Sequence, residues 1–99
     1  MNKERILKEF QVIPGIGKAC SLDLWNIGFR SIEDIKGQNP ILLYQKLNAI
    51  SGLEHDVCML YTLRLAVYYV TEKSHDKEKL KWWYWKDKTY NEALNPLDL

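Results

Sequence analysis

The chain has 99 residues, of which 46% are hydrophobic and 27% are charged, and its formal net charge is +1. This length allows one compact domain, or one domain with a tail, and the composition excludes a chain that is disordered throughout. The near balance of charges excludes binding to nucleic acid or to a membrane surface through bulk positive charge, so any nucleic-acid contact must depend on local geometry.

The two cysteines, Cys20 and Cys58, are too few for a disulfide scaffold. Residues 1–5 lack the apolar core of a secretory signal. The longest apolar stretch, residues 57–70, is interrupted by Arg64 and is too short for a transmembrane span. We therefore predict a cytoplasmic protein with both cysteines as thiols and no contact with a membrane.

Two short helices joined by a glycine-rich turn are predicted at the start of the chain. Apolar residues at helical spacing predict the first helix over residues 3–10. The sequence Pro-Gly-Ile-Gly at residues 14–17 then breaks helical geometry and gives the backbone freedom to turn. A second helix is predicted from Lys18 to Ile27, ending at Gly28 as a left-handed cap.

The remaining chain predicts further helices and no strands. Ser31 and Asp34 form a capping-box pattern for a short helix that ends at Gly37. Asn39-Pro40 is a helix-start signal, and the apolar spacing continues to Ser51-Gly52. The most apolar helix is predicted from about Glu54 to Thr71, at the centre of the bundle. The predicted fold is therefore all-α, with about five short helices in a domain over residues 1–73 and a tail over residues 74–99.

The most specific pattern is Ile13-Pro14-Gly15-Ile16-Gly17 between two amphipathic helices, with Gly28 eleven residues further on. It resembles the helix-hairpin-helix motif of DNA-binding and repair proteins, and the resemblance implies a compact, SAM-domain-like bundle. It also implies that hairpin amides bind phosphate, that Ile16 points inward, and that the second helix carries a small residue where it packs. The nucleic-acid-binding residues implied in this way are Pro14, Gly15, Ile16, Gly17, Lys18 and Ser21.

The physical basis of such a site does not depend on the resemblance. A helix N-terminus has unpaired N–H donors and a partial positive charge, and a glycine loop exposes them to an anion. Contacts of this kind position a protein on nucleic acid without reading its sequence. The chain departs from the motif at Ala19, where related motifs often have a basic residue, and Lys18 lies one place earlier. A hairpin that only joins two helices is the alternative.

Residues 13–70, together with the string Trp-Trp-Tyr-Trp-Lys-Asp at residues 82–87, resemble the bacterial pathogenicity locus family, also labelled mitomycin-resistance-type. The resemblance implies a bacterial intracellular protein that binds DNA. We therefore expect a non-sequence-specific DNA-binding protein, accessory to DNA repair, recombination or stress tolerance. The alternative is a protein-interaction or dimerisation module of the same fold without nucleic-acid contact, which Ala19 and the low net charge favour.

The tail contains a second candidate site. Five lysines and two acidic residues over residues 77–88 give a formal charge of +3 and interleave with three tryptophans. This pattern suits stacking on unpaired bases beside phosphates, but packing of the tryptophans onto the core or onto a second subunit is favoured. The residues concerned are Lys79, Lys81, Trp82, Trp83, Trp85 and Lys86. A homodimer through Tyr61, Tyr68 and Tyr69 is also considered.

The cysteine and histidine residues and the Ser51-Gly52 pair are two further patterns, and we expect both to be structural. Cys20, His55, Cys58 and His75 do not have the spacing of a known zinc site, and a Cys–His nucleophile lacks an orienting group and an oxyanion hole. We therefore expect no metal, no cofactor, no small-molecule substrate and no enzymatic activity. Ser51-Gly52 is a degenerate second hairpin, which we expect to be structural because Glu54 and Asp56 would repel phosphate.

Overall fold

The computed structural model describes residues 2–86. Within them the chain is all-helical, with four α-helices, three short 3₁₀ turns and no strand. The α-helices are α1 (Lys3–Phe10), α2 (Lys18–Ile27), α3 (Pro40–Ser51) and α4 (Val57–Thr71). The 3₁₀ turns are Ile32–Ile35, Lys77–Leu80 and Trp82–Trp85. Residues 87 and 88, which end the predicted tail site, lie outside the described residues.

Local sequence signals explain most of the helix boundaries. The second helix begins at Lys18 and ends at Ile27 as predicted, and Gly28 closes it with a φ of 117°. The predicted capping box forms between Ser31 and Asp34, although the element it begins is a 3₁₀ turn rather than an α-helix. The prediction that the longest helix begins near Glu54 was three residues too early. Asp56 is instead the N-cap of α4, because its carboxylate accepts the Cys58 N–H at 2.9 Å.

Helix α4 is the centre of the fold, as its composition predicts. Every residue from 61 to 68 is buried, and α4 packs against α3 and all three 3₁₀ turns. The larger apolar cluster contains Phe10, Leu24, Leu47 and Leu63, and so joins α1, α2 and α3 to α4. Within residues 2–86, no helix combines the length and the apolarity that crossing a membrane requires.

A smaller aromatic cluster contains Tyr61, Leu65, Tyr68 and Trp85. Trp85 is completely buried, and its indole Nε1 donates to the Lys79 carbonyl at 2.9 Å. The chain itself covers the rings of Tyr61 and Tyr68, which are therefore core residues, whereas Tyr69 is half-buried. The homodimer stays a prediction. The three tryptophans of the tail therefore differ in burial: Trp85 belongs to the core, whereas Trp82 and Trp83 are exposed.

Arg64 also has a partner that the sequence did not indicate. A buried cation needs hydrogen-bond acceptors, and the Arg64 Nη1 donates to the Trp85 carbonyl at 2.9 Å. Its guanidinium carbon lies 5.7 Å from the centre of the Tyr61 ring. The buried cation thus ties the last 3₁₀ turn to α4.

Candidate nucleic-acid interface

Residues 13–17, called the glycine loop from here on, form a tight turn between α1 and α2. The Ile16 N–H donates to the Ile13 carbonyl at 3.1 Å, with Pro14 and Gly15 as the two central residues. Gly15 has a φ of 83°, which is the conformation that the third residue of a type II turn requires. Ile13 and Ile16 are both buried, so the loop is anchored from inside as expected.

The two glycines of the loop have different surroundings. A β-carbon on Gly15 would lie 3.3 Å from Leu65 Cδ2 and 3.8 Å from Thr62 Cγ2, so α4 packs directly against this residue. A β-carbon on Gly17 would meet nothing within 4 Å. Gly15 is therefore required by the fold itself, whereas Gly17 leaves open space in front of the first turn of α2.

Helix α2 begins without the cap that the other α-helices have. Its N-cap is Gly17, which has no side chain to accept a backbone N–H, and its first turn contains no acidic residue. Side chains cap the other three α-helices, namely Asn2, Asn39 and Asp56. The positive end of the α2 dipole is therefore not neutralised locally.

Several backbone donors at this helix start have no acceptor within residues 2–86. Those on exposed residues are the N–H groups of Gly15, Lys18 and Ala19. The Ile16 N–H is used inside the turn, so Ile16 supports the site without offering a donor. Ala19 was not among the predicted contacts. Its amide could have been named from the rule that the first turn of a helix leaves its N–H groups unpaired.

The Cys20 thiol lies near the start of α2 and interacts with the Gly17 backbone. Burial raises the pKa of the Cys20 thiol, Asp23 raises it further, and the hydrogen bond from Gly17 opposes both. The thiol is therefore held neutral beside the helix start. The predicted contact at Gly17 consequently provides space for a ligand, while its neighbours provide the donors.

The remaining predicted hairpin residues lie at different depths. Lys18 is exposed, and with Lys8 and Gln11 it lines a groove of about 410 Å³ between α1 and α2, which Glu4 also borders. Pro14 is half-buried. Ser21 is completely buried, and its hydroxyl donates to the Lys18 carbonyl at 2.7 Å. Ser21 therefore acts as the small residue at the helix contact.

Residues 81–86, called the tryptophan segment from here on, contain most of the predicted tail site. Trp83 is 57% exposed and Trp82 is 36% exposed, whereas Trp85 is buried and has no face to offer a base. Lys81 forms an exposed ion pair with Glu78 at 3.4 Å. The exposed Lys86 is near enough to Cys58 to influence the pKa of that thiol. Lys79 is half-buried, with its ammonium group 5.9 Å from the Tyr68 ring.

The candidate thiol site has one component that the sequence did not indicate. His55 Nδ1 lies 2.7 Å from Asn48 Oδ1, and because an amide oxygen only accepts, Asn48 orients the imidazole. The structure thus supplies the orienting group that seemed to be missing from the sequence. It does not supply an activated nucleophile, since the hydrogen bond to Asp56 raises the pKa of the Cys58 thiol.

The cysteine and histidine residues do not assemble into a metal-binding group. Cys20 Sγ contacts the Met59 sulfur at 3.9 Å, and His75 stacks on the Tyr69 ring with the centroids 4.6 Å apart. Over residues 2–86 the structure brings together no three His, Cys, Asp or Glu side chains that could hold a metal ion. The glycine loop is therefore the site with the clearest unsatisfied binding capacity.

The comparison with family models gives one match. The model described as pathogenicity locus matches residues 3–91 of this chain. No curated protein and no solved structure matches the chain.

Proposed function

The chain belongs to the pathogenicity locus family, and from this premise we propose that it binds DNA without sequence specificity through a helix-hairpin-helix formed by α1, the glycine loop and α2. The bound group is a backbone phosphate, held by amide N–H groups at the start of α2. The protein then acts as an accessory factor in DNA repair, recombination or stress tolerance, including resistance to mitomycin. It performs no chemistry on the DNA.

One observation carries this proposal: α2 begins with exposed, unpaired amides, no side-chain cap and no acidic residue in its first turn. An anion placed there would receive hydrogen bonds and the favourable end of the helix dipole. A few such donors make a basic surface unnecessary, which is consistent with a net charge of +1. Lys18 adds one cation beside the same helix start.

The test places an acidic cap at this position. Gly17 has an extended backbone with φ −95° and ψ −166°, and open space at its β-carbon, so Gly17→Asp is compatible with the fold and gives α2 a good N-cap. The variant should keep the melting temperature of the wild type or exceed it. Its affinity for a short blunt DNA duplex should fall about thirtyfold, because like charges brought together at an interface cost several kcal/mol.

A matched control separates the local effect from the change in net charge. Gln45→Glu adds the same charge at an exposed position within α3 and should change affinity by no more than about twofold. The measurement is fluorescence anisotropy of labelled duplex at low and at near-physiological salt, where wild-type binding should weaken as salt rises. Equal losses in both variants, or no wild-type binding at low salt, would contradict the proposal.

A second candidate function has one observation in its favour. Leu42, Ile50 and Leu53 are 60%, 51% and 73% exposed on or just after α3. Large apolar side chains exposed along one helix can contact another protein, so we propose an interaction or dimerisation module as the alternative. A dimer that forms with rising concentration in sedimentation, together with absent DNA binding at low salt, would favour this function over the first.

A further inference from the structure

Two adjacent tryptophans of the tryptophan segment lie with their rings at the surface. Trp83 is 57% exposed and Trp82 is 36% exposed. Their ring centroids are 5.8 Å apart and their planes meet at 89°, so Trp82 supports the Trp83 ring edge-on. Exposed indole rings are costly in water, and here they lie on a short turn that buried Trp85 fixes to the core. Trp83 thus presents a flat, largely exposed ring next to Trp82.

The charges around this face indicate what kind of ligand it would accept. Residues 77–86 include four lysines and one glutamate, a formal charge of +3. The ammonium group of Lys81 lies 5.9 Å from the centre of the Trp83 ring. A flat ring beside Lys81, in a segment of positive charge, fits a planar ring carried on an anionic chain. A second copy of the same surface is disfavoured, because it would bring the lysines of both copies together.

The tryptophan segment and the glycine loop border the same part of α4. Gly15 packs against Leu65, with its β-carbon position 3.3 Å from Leu65 Cδ2. Leu65 belongs in turn to the buried cluster that contains Trp85. Both regions therefore pack against the same helix, which fixes their relative position.

We propose that Trp83, supported by Trp82, stacks on an unpaired nucleobase, so that the preferred ligand is DNA in which unpaired bases adjoin a duplex. This inference rests on the proposed function, since the glycine loop holds a phosphate of the same molecule. Stacking on indole tolerates any base, which is consistent with binding that does not depend on sequence.

The experiment compares a blunt duplex with the same duplex carrying an unpaired oligothymidine extension. Wild-type protein should bind the extended duplex at least about fivefold more tightly, the smallest effect usual for one stacked base. Trp83→Leu keeps an apolar side chain at this exposed position but removes the flat ring, and it should abolish the preference while leaving blunt-duplex affinity unchanged. Trp83→Tyr should retain most of the preference.

The outcomes separate this inference from the proposed function. An equal affinity of the wild-type protein for both ligands, or a preference that survives in Trp83→Leu, would overturn the stacking inference. An effect of Trp83→Leu that appears only as altered self-association in sedimentation would overturn it as well. In these cases the proposed function stands if Gly17→Asp still weakens binding to the blunt duplex. Failure of the wild-type protein to bind either DNA would overturn both.

Discussion

The molecule contains two helix–glycine–helix units. The N-terminus of the second helix is uncapped in the first unit and capped by a carboxylate in the second. In the first unit the glycine loop leads into α2, whose start has no side-chain cap. In the second unit Gly52 ends α3, and Asp56 caps α4 by accepting the Cys58 N–H at 2.9 Å. Similar backbone architecture therefore leaves one helix start open to an external anion and fills the other with the chain's own carboxylate.

The two helix starts are also neighbours. Cys20 in the first turn of α2 contacts Met59 in the first turn of α4, with the two sulfurs 3.9 Å apart. On physical grounds, the residue that caps a helix start decides whether the positive end of its dipole is available to an anion.

The largest expected effect concerns the stability of the first unit rather than its binding. Gly15→Val places a β-branched side chain at a φ of 83° and within 3.3 Å of Leu65. Backbone strain and overpacking together should lower the free energy of unfolding by about 3 kcal/mol. Denaturant unfolding followed by circular dichroism measures this loss.

Gly17→Val provides the control for that prediction. Open space surrounds the β-carbon position of Gly17, so Gly17→Val should lower the free energy of unfolding by only about 1 kcal/mol, because valine is a poorer N-cap than glycine. Equal destabilisation by both substitutions would show that the two glycines do not differ as described.

A smaller effect is expected from removing the N-cap of α4 in the second unit. Its capping hydrogen bond lowers the pKa of Asp56, so the contribution of this carboxylate to stability is present above its unfolded pKa and is lost as pH falls through the lowered value. Asp56→Ala should therefore have a lower melting temperature than wild type at neutral pH, and the difference should shrink towards zero in acid. Thermal unfolding over a pH series measures it.

The same substitution should increase affinity for a blunt duplex by about twofold at most, because removing a negative charge makes the net charge of the protein more positive. Asp56→Asn keeps a capping side chain without the charge. It should show the gain in affinity with a smaller loss of stability. A melting-temperature difference that does not change with pH would contradict the assigned role of the carboxylate.

Local signals in the sequence predicted much of this fold and part of the site. The bounds of α2, its Gly28 cap and the inward position of Ile16 follow from short-range patterns that contain their own physical cause. The start of α4 was misplaced because Glu54 and His55 are compatible with a helix, and only the observed capping by Asp56 excludes them.

Properties that depend on packing between distant elements could not be predicted. Three tryptophans within four residues look equivalent in the sequence, yet only Trp85 is buried against Tyr61 and Tyr68. The carbonyl partner of Arg64 and the alignment of His55 by Asn48 likewise depend on how separate elements meet. The number of free amides at the start of α2 required the hydrogen-bond geometry of the glycine loop itself.

The most direct test of the central claim follows the backbone amides of the glycine loop and α2 by ¹H–¹⁵N NMR during titration with a short blunt DNA duplex. The account predicts that the signals of Gly15, Lys18 and Ala19 shift most and saturate together, while the amide of Cys58 in the capped start of α4 shifts little. DNA binding that leaves these three signals unmoved, or that perturbs the start of α4 instead, would contradict it.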